Sequence, residues 1–204
     1  MTGLSRKSCE VVIIYLAGDS VSYAQATDHL ESVFARKLAT CWGLHFISQR
    51  DLHNSRHYVT DQEGRSVTER VQGLHDCINA LGMPTIVVGR SSGARVASIC
   101  TQNPHVVAAI CFAYPFKHPN QPDEPARYEH LRTTDKPILI VQGYRDEYGG
   151  ISAVPRYGLS ETVDLFYVRA DHQFKLPEQT LELIRKRINR FLIQSNVLPS
   201  STCV

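Results

Sequence analysis

The stretch Pro84-Thr-Ile-Val-Val-Gly-Arg-Ser-Ser-Gly-Ala-Arg-Val96 decides the fold of this chain. Its first part, Ile86 to Val88, is a short apolar run of β-branched residues, which is typical of a strand buried on both faces. The run ends in a G-x-S-x-G pentapeptide, and Ala94 to Cys100 can continue as a helix. A strand that turns sharply into a helix is the context of a nucleophile elbow, which holds its central residue above the sheet in strained backbone geometry.

Ser91 is the central residue of this pentapeptide and is therefore the candidate nucleophile. We expect Gly89 and Gly93 to lie where a Cβ would collide with the neighbouring strand or helix. The N-terminus of the following helix would favour negative charge beside Ser91. The alternative is that this segment is only a Gly/Ser turn between a strand and a helix and has no catalytic role, since such pentapeptides also arise by chance.

Apolar runs alternate with helical patterns along the chain. Strands are predicted over residues 11–17, 42–47, 86–88, 106–112, 137–141 and 164–168, and helices over 23–38, 67–81, 94–100, 126–131 and from Pro177 onward. Residues 48–64 are predicted to form a polar loop. Runs that are apolar throughout indicate a parallel sheet covered by helices on both faces. We therefore expect an α/β fold, a three-layer α/β/α sandwich whose mostly parallel sheet has about six strands, with no large cap.

The bulk properties of the chain limit its function. Its 204 residues suit one domain over residues 1–204, with a frayed tail from about Asn196. A net charge of +2 gives no electrostatic case for nucleic acid or an acidic membrane as partner. No segment approaches ~20 apolar residues, so no membrane span is expected. The six cysteines are scattered without a C-x-x-C pair, which favours reduced thiols in a cytoplasmic protein.

The candidate partners of Ser91 follow the last two predicted strands. A serine hydroxyl needs a base to take its proton and a third group to orient the base. His172 and Asp146 can supply these roles, because ligands of such sheets bind at the carboxyl ends of the strands. Asp171 is a rival acid, but adjacent loop residues rarely point the way this hydrogen bond needs, and Glu147 is a weaker rival for the same reason.

The oxyanion hole is expected to use the backbone N–H of Ser92 and one N–H from the loop after the first strand. Gly18 and Asp19 occupy that loop. A carboxylate at Asp19 would oppose a developing negative charge unless its side chain turns away. Asp, Glu and His residues do not cluster at metal-ligand spacing, so neither a metal nor a cofactor is expected.

With these residues in place, the chain resembles small members of the α/β-hydrolase superfamily, most closely the dienelactone-hydrolase-like group of compact bacterial hydrolases without a large cap. The resemblance implies that Ser91 is the nucleophile, His172 the general base and then acid, and Asp146 the orienting carboxylate. The matching stretches are residues 88–97, 111–116, 139–146 and 170–174.

Two features depart from these relatives. Many of them carry His-Gly after the first strand, where this chain has Ala17-Gly18-Asp19. The missing histidine raises the question of what holds the oxyanion loop. The dienelactone hydrolases proper use a cysteine nucleophile, so Ser91 argues against that specific activity.

The sequence thus predicts a serine hydrolase, of carboxylesterase or thioesterase type, that cleaves a small-molecule ester or thioester through an acyl-enzyme. Gly18, Arg90 and Tyr114 are the predicted substrate-binding residues. Arginines on the loops and at the elbow (Arg50, Arg56 and Arg90) would favour an anionic substrate, although such arginines are usually solvated. The alternative function is a non-catalytic α/β-hydrolase-fold protein that binds a small ligand or a protein partner.

Overall fold

Six strands form one sheet in the order β2-β1-β3-β4-β5-β6, and all five pairings are parallel. The structure, a computed structural model, describes residues 11–18, 28–55, 66–151 and 154–200. The strands are β1 (Val12–Leu16), β2 (His45–Ile47), β3 (Thr85–Arg90), β4 (Val106–Phe112), β5 (Ile138–Gly143) and β6 (Val163–Val168). This parallel sheet confirms the predicted fold class.

The helices begin and end at residues suited to those positions. A π-helical segment (Glu31–Arg36) runs into α1 (Lys37–Trp42), followed by α2 (Gln49–His53), α3 (Val67–Leu81), α4 (Ser92–Ile99) and α5 (Glu178–Gln194). Ser66 and Glu69 form a capping box at the start of α3, and Gly82 ends that helix in the left-handed conformation with φ 60°.

Helices cover both faces of the sheet. Because side chains alternate along a strand, Ile13 and Tyr15 pack on one face with the π-helical segment, α1 and α5. Val12 and Ile14 pack on the other face with α3 and α4. The apolar runs of the sequence therefore follow from strands that are buried on both sides, as expected for a three-layer α/β/α sandwich.

The predicted strand over residues 42–47 is too long. Helix α1 continues through Trp42, and Gly43 ends it with φ 64°, so that only His45–Ile47 remains as strand. Trp42 is the last residue of α1, and its Nε1 donates a hydrogen bond of 3.1 Å to Asn189 of α5. A left-handed glycine and one long-range contact thus decide between helix and strand here.

Two predicted irregular segments also differ from the structure. The predicted loop over residues 48–64 contains α2, which a capping box between Ser48 and Asp51 opens; residues 56–65 lie outside the described part of the chain. The predicted short helix over 126–131 is a pair of 3₁₀ turns, Pro125–Arg127 and Glu129–Arg132. Short polar helices of this kind have no apolar periodicity, so a hydrophobic pattern does not reveal them.

The chain beyond α5 is not frayed where the structure describes it. Leu198 is buried in the core beside α5, and the backbone N–H groups of Val197 and Leu198 both donate to the Leu192 carbonyl. The predicted tail from Asn196 is therefore wrong for these residues. Apolar burial of Leu198 offsets the entropy of ordering the segment.

The cysteines in the part of the chain that the structure describes fall into two groups. Cys77, Cys100 and Cys111 are free, buried thiols, as expected. Cys41, by contrast, is disulfide-bonded, so the expectation of reduced thiols throughout is wrong there.

Within the described ranges, none of the helices combines the length and the hydropathy that crossing a bilayer requires.

Candidate active site

Ser91 lies in a strained turn between β3 and α4. Its backbone has φ 52° and ψ −122°, a conformation that non-glycine residues rarely adopt. A Cβ added at Gly89 would overlap the Gly93 backbone, and one added at Gly93 would overlap the Leu16 carbonyl. These overlaps confirm the predicted collisions at both glycines. Only residues without a Cβ let the helix and the strands approach this closely.

The Ser91 hydroxyl points at the imidazole of His172. The distance from Ser91 Oγ to His172 Nε2 is 3.0 Å, which is hydrogen-bond distance. His172 lies in the loop between β6 and α5, and its side chain is 12% exposed. The backbone of this loop is held from the elbow, since the Arg90 guanidinium donates a hydrogen bond of 3.3 Å to the His172 carbonyl.

Asp146 completes the arrangement from the loop after β5. Its two carboxylate oxygens lie 3.0 and 3.1 Å from His172 Nδ1, and its side chain is fully buried. Gln142 Nε2 donates to Asp146 Oδ2 at 3.1 Å, and the Tyr148 backbone N–H donates to Oδ1 at 2.9 Å. A buried carboxylate needs such partners to remain in place, and here they fix its orientation toward the imidazole.

The rival acids occupy other positions. Asp171 is exposed and accepts a hydrogen bond of 3.0 Å from the Gln173 backbone N–H, so it stabilises its own turn. Glu147 lies at the edge of the cleft beside Ser91. The imidazole of His172 is hydrogen-bonded to Ser91 and to Asp146, the partners that the sequence predicts.

Two buried side chains hold the predicted oxyanion loop. Gly18 lies against Ser91, since a Cβ added to it would be 3.2 Å from the Ser91 Cβ. The Ala17 N–H donates to Gln49 Oε1, and Arg70 donates 2.8 Å to the Ala17 carbonyl. Gln49 and Arg70 thus supply backbone contacts where the histidine of many relatives is missing. Asp19, the other predicted residue of this loop, lies outside the described residues.

Ser92, the second predicted oxyanion donor, begins α4 directly after Ser91. Backbone N–H groups in the first turn of a helix have no partner within the helix, so they can bind an anion. The side chain of Ser92 also has a partner, because its Oγ accepts a hydrogen bond of 2.9 Å from Arg70. Arg70 therefore contacts both sides of the predicted oxyanion hole.

A cleft of about 430 Å³ opens over Ser91 and His172. Its volume is in the range of small-molecule sites. The cleft lies at the carboxyl ends of the strands, next to the point where the strand order reverses between β1 and β3. Its lining residues are Val67, Ser91, Ser92, Arg95, Pro115, His118, Arg127, Glu147, Tyr148, His172 and Gln173.

None of the three predicted substrate-binding residues is among the residues that line this cleft, although Gly18 lies against Ser91. Arg90 is buried, with its guanidinium 3.5 Å from the Asp28 carboxylate and bonded to the His172 carbonyl. Tyr114 is fully buried, and its hydroxyl donates 2.7 Å to the Arg127 carbonyl. The structure reassigns both from substrate contact to support of neighbouring loops. Arg50 is exposed away from the cleft lining, and Arg56 lies outside the described residues.

Several site residues carry a sequence signal that hydrophobic patterning overlooks. The Ser48-x-x-Asp51 capping box places Gln49 on a helix. Gln142 is a polar residue near the carboxyl end of an otherwise apolar strand, four residues before Asp146. Arg70 and Arg95 have no such signal, because an arginine on a helix is usually solvated and only tertiary contacts bury it. Among the described residues, no group of three or more metal-ligating side chains comes together.

Comparison with solved structures finds the same fold. An esterase from Pyrococcus furiosus is 14% identical, with a TM-score of 0.66 over 90% of this chain and 81% of that one. An alpha-beta serine hydrolase homologue from Coxiella burnetii is 20% identical, with a TM-score of 0.60 over 91% and 88%. A candidate hydrolase of the alpha/beta superfamily from Xanthomonas campestris pv. campestris is 20% identical, with a TM-score of 0.59 over 89% and 98%.

Sequence comparison is consistent with this likeness in fold. A search of curated protein sequences finds no match. A family model described as an alpha/beta hydrolase domain matches residues 35–195, which include Ser91, Asp146 and His172. The chain belongs to the α/β-hydrolase family.

Proposed function

We propose that this protein is a serine hydrolase that cleaves a small ester or thioester through an acyl-enzyme on Ser91. The observation that carries the proposal is the continuous hydrogen-bonded series from Ser91 Oγ through the His172 imidazole to Asp146, with distances of 3.0 Å at both junctions. A nucleophile, a base and an orienting acid at these distances match the geometry of a catalytic triad. The strained backbone of Ser91 supports the same role, since such strain concentrates at functional sites.

In the proposed acylation step, Ser91 Oγ attacks the substrate carbonyl carbon while its proton passes to His172 Nε2. Asp146 accepts the hydrogen bond from Nδ1–H and stabilises the imidazolium that forms. The hydrogen bonds from Gln142 and Tyr148 keep the Asp146 carboxylate oriented toward the imidazole. His172 then gives its proton to the leaving oxygen or sulfur, and the ester bond to the leaving group breaks.

The negative charge that develops on the carbonyl oxygen of the tetrahedral intermediate requires hydrogen-bond donors beside that oxygen. The backbone N–H of Ser92 is one proposed donor, and that of Asp19 is the other. Arg70 and Gln49 hold the Ala17 peptide units next to Gly18, which positions the loop without a histidine. In deacylation, His172 takes a proton from water, the hydroxide attacks the acyl carbon, and Ser91 recovers its proton as the acid leaves.

The substrate class follows from the cleft and from the neighbours. A cleft of about 430 Å³ suits a small molecule. The solved structures with this fold include an esterase and a serine hydrolase homologue, which supports carbonyl-ester chemistry at this site. We propose a carboxylesterase or thioesterase type of activity accordingly.

Labelling with a fluorophosphonate probe tests this proposal. Ser91 Oγ forms a bond to phosphorus as fluoride leaves, and this step needs the activated serine and an oxyanion hole but no knowledge of the substrate. We expect wild-type protein to label, and Ser91→Ala and His172→Ala to remain unlabelled. Ser195→Ala, at the end of α5, and His45→Ala, at an exposed position, are matched controls that should label like wild type.

Loss of label in both site variants, with labelled controls, would support the proposal and justify a screen of esters and thioesters. A folded wild-type protein that takes no label would contradict it. The non-catalytic binding function would then become the better description of the fold.

A further inference from the structure

Arg127 forms part of the cleft wall and is held there firmly. Its side chain is only 14% exposed, although arginine side chains at a protein surface are usually solvated. The Glu124 carboxylate accepts a hydrogen bond of 2.6 Å from Arg127 Nε, and the Tyr114 hydroxyl fixes the Arg127 carbonyl at 2.7 Å. An arginine anchored by both its side chain and its backbone is ordered before any ligand arrives.

The outer end of the Arg127 guanidinium remains available to a ligand. Nε is used by Glu124, and Nη1 makes a marginal contact of 3.5 Å with the Pro115 carbonyl. Nη2 has no acceptor among the residues that the structure describes. The planar guanidinium therefore presents N–H donors in a geometry that fits a carboxylate or a phosphate.

Arg95 lies on the same wall, one helical turn after the nucleophile. It is half-buried, and its backbone N–H donates to the Ser91 carbonyl at 3.2 Å. Burial raises the pKa of the Tyr114 phenol, whereas the charges of Arg95 and Arg127 both lower it. Arg95 and Arg127 both line the cleft that contains Ser91, so two guanidinium groups belong to its wall.

The carboxylates near the cleft offset part of its positive charge: Glu124, outside the lining residues, pairs with Arg127 Nε at 2.6 Å. Glu147 is the one carboxylate among the lining residues. His118 and His172 also line the cleft, and His172 already serves Ser91 and Asp146. Recognition of an anion at this wall would therefore rest on directed hydrogen bonds from Arg127, whose Nη2 has no acceptor among the described residues, and not on an excess of positive charge.

We propose that Arg95 and Arg127 form a subsite for an anionic group of the substrate, a carboxylate or a phosphate a few bonds away from the scissile carbonyl. The inference rests on the proposed hydrolase function and narrows its substrate class to anionic esters or thioesters. It also differs from the expectation that Arg90 would bind such a group, because Arg90 pairs with Asp28 outside the cleft.

Paired ester substrates test the subsite by turnover. p-Nitrophenyl hydrogen glutarate and p-nitrophenyl valerate have acyl chains of equal length, with and without a carboxylate. In a second pair, 4-carboxyphenyl valerate and phenyl valerate place the charge on the leaving group. We expect wild-type protein to prefer the charged member of one pair, which identifies the side of the carbonyl that Arg95 and Arg127 serve.

Variants assign that preference to the two arginines. The ratio of kcat/KM for the charged ester to that for the neutral ester should fall about tenfold in Arg95→Gln and in Arg127→Gln, mainly through KM. Arg127→Lys, which keeps the charge, should retain part of the ratio. Arg190→Gln changes the net charge equally at an exposed position of α5 and should leave the ratio unchanged.

A binding measurement separates failure of the subsite from failure of the hydrolase. In Ser91→Ala protein, calorimetry with monomethyl glutarate and with methyl valerate measures anion recognition without turnover. We expect tighter binding of monomethyl glutarate, weakened about tenfold by an added Arg127→Gln and unaffected by an added Arg190→Gln.

The outcomes are distinct. Equal binding of the charged and the neutral compound by Ser91→Ala protein would overturn the subsite whatever the turnover shows. Selective binding of monomethyl glutarate in a wild-type protein that neither labels nor hydrolyses esters would support the subsite and contradict the hydrolase. An unchanged kcat/KM ratio in both glutamine variants would also overturn the subsite.

Discussion

The guanidinium of Arg70 donates a hydrogen bond of 2.9 Å to Ser92 Oγ, and this contact joins a buried residue of α3 to the residue after Ser91. The same guanidinium donates to the Ala17 carbonyl at 2.8 Å, on the other side of the predicted oxyanion hole. Arg70 is 1% exposed. A planar group that bonds to both residues holds Ala17 and Ser92 at a fixed separation, and a predicted oxyanion hole needs such fixed geometry.

Replacing Arg70 with Lys should slow ester hydrolysis more than it weakens substrate binding. A lysine ammonium is a compact charge that lacks the fork needed for both acceptors, so the Ala17 loop should shift relative to Ser92. We expect kcat to fall roughly 10- to 100-fold with little change in KM, because small displacements of catalytic groups have effects of this size. Steady-state kinetics on a neutral ester checks this.

A double-mutant cycle tests whether Arg70 acts through Ser92. Ser92→Ala removes the hydroxyl that accepts the hydrogen bond but keeps the backbone N–H. If Arg70 acts through this contact, the double variant should be about as slow as Arg70→Lys alone, because residues that share one interaction are not additive. Losses that multiply, or a free energy of unfolding that falls in parallel with kcat, would contradict a positioning role.

Asp146→Asn should nearly abolish activity, whereas Asp171→Asn should not. An amide at position 146 no longer compensates the imidazolium, and it favours the wrong tautomer of His172, which costs about 10³- to 10⁴-fold in kcat in comparable triads. The amide oxygen that Asp171→Asn introduces can still accept the Gln173 N–H, so that turn is preserved. Turnover of one ester by both variants, with labelling as a second readout, measures the difference. Equal losses would mean that the wrong acid has been assigned.

The elbow and the order of the three site residues are predictable because their signals are local. Gly89 and Gly93 mark close backbone contacts, and each of Ser91, Asp146 and His172 follows an apolar run. The carboxyl ends of parallel strands lie at one edge of the sheet, so residues far apart in the chain can be expected to meet there. Fold and candidate triad therefore follow from patterns of a few residues.

The supporting residues are not predictable in this way, because their positions depend on tertiary contacts. Arg90 and Arg95 both flank Ser91 in sequence, yet only Arg95 lines the cleft. Arg90 is the last residue of β3, and the pleat of the strand directs its side chain toward Asp28. Arg70 appears as one more charged residue on an amphipathic helix until α3 packs on α4. Polar side chains buried by packing leave no periodicity to detect.

Gly93→Ala should destabilise the fold severely. The added Cβ would overlap the backbone carbonyl of Leu16 in the neighbouring strand, and backbone in the centre of a sheet has no free space into which to move. We expect a loss of more than about 3 kcal/mol in the free energy of unfolding, the range of the most disruptive core substitutions. Urea denaturation measures it.

Gly82→Ala serves as the matched control for this loss. Gly82 has φ 60°, and an added Cβ would have nothing within 4 Å, so only backbone strain opposes the change. We expect a cost of about 1 kcal/mol for an alanine in the left-handed region. Equal losses at positions 82 and 93 would show that conformation and not close packing makes the elbow glycine necessary.

His130 should make the protein less stable in mild acid. Its Nε2 lies 2.8 Å from Ser98 Oγ and 3.3 Å from the Tyr114 hydroxyl. Burial, with a smaller contribution from the positive charge of Arg95, lowers the pKa of the His130 imidazole from 6.5 to about 4. The folded state therefore holds His130 neutral over a pH range in which the unfolded chain binds a proton, so stability falls as the pH drops from 6.5 toward 4.

Urea denaturation at pH 7 and pH 5 measures this effect. The His130 contribution to the loss of unfolding free energy between these pH values should be at most about 2 kcal/mol, since partial exposure reduces the effect of burial. His130→Gln cannot take up this proton, so its loss between pH 7 and pH 5 should be smaller than that of wild type by this amount. His45→Gln, at an exposed position, should keep the wild-type pH dependence. If His130→Gln shows the same pH dependence as wild type, the imidazole accepts its proton in the folded state, and its contacts with Ser98 and Tyr114 must then rearrange beside the Arg127 loop.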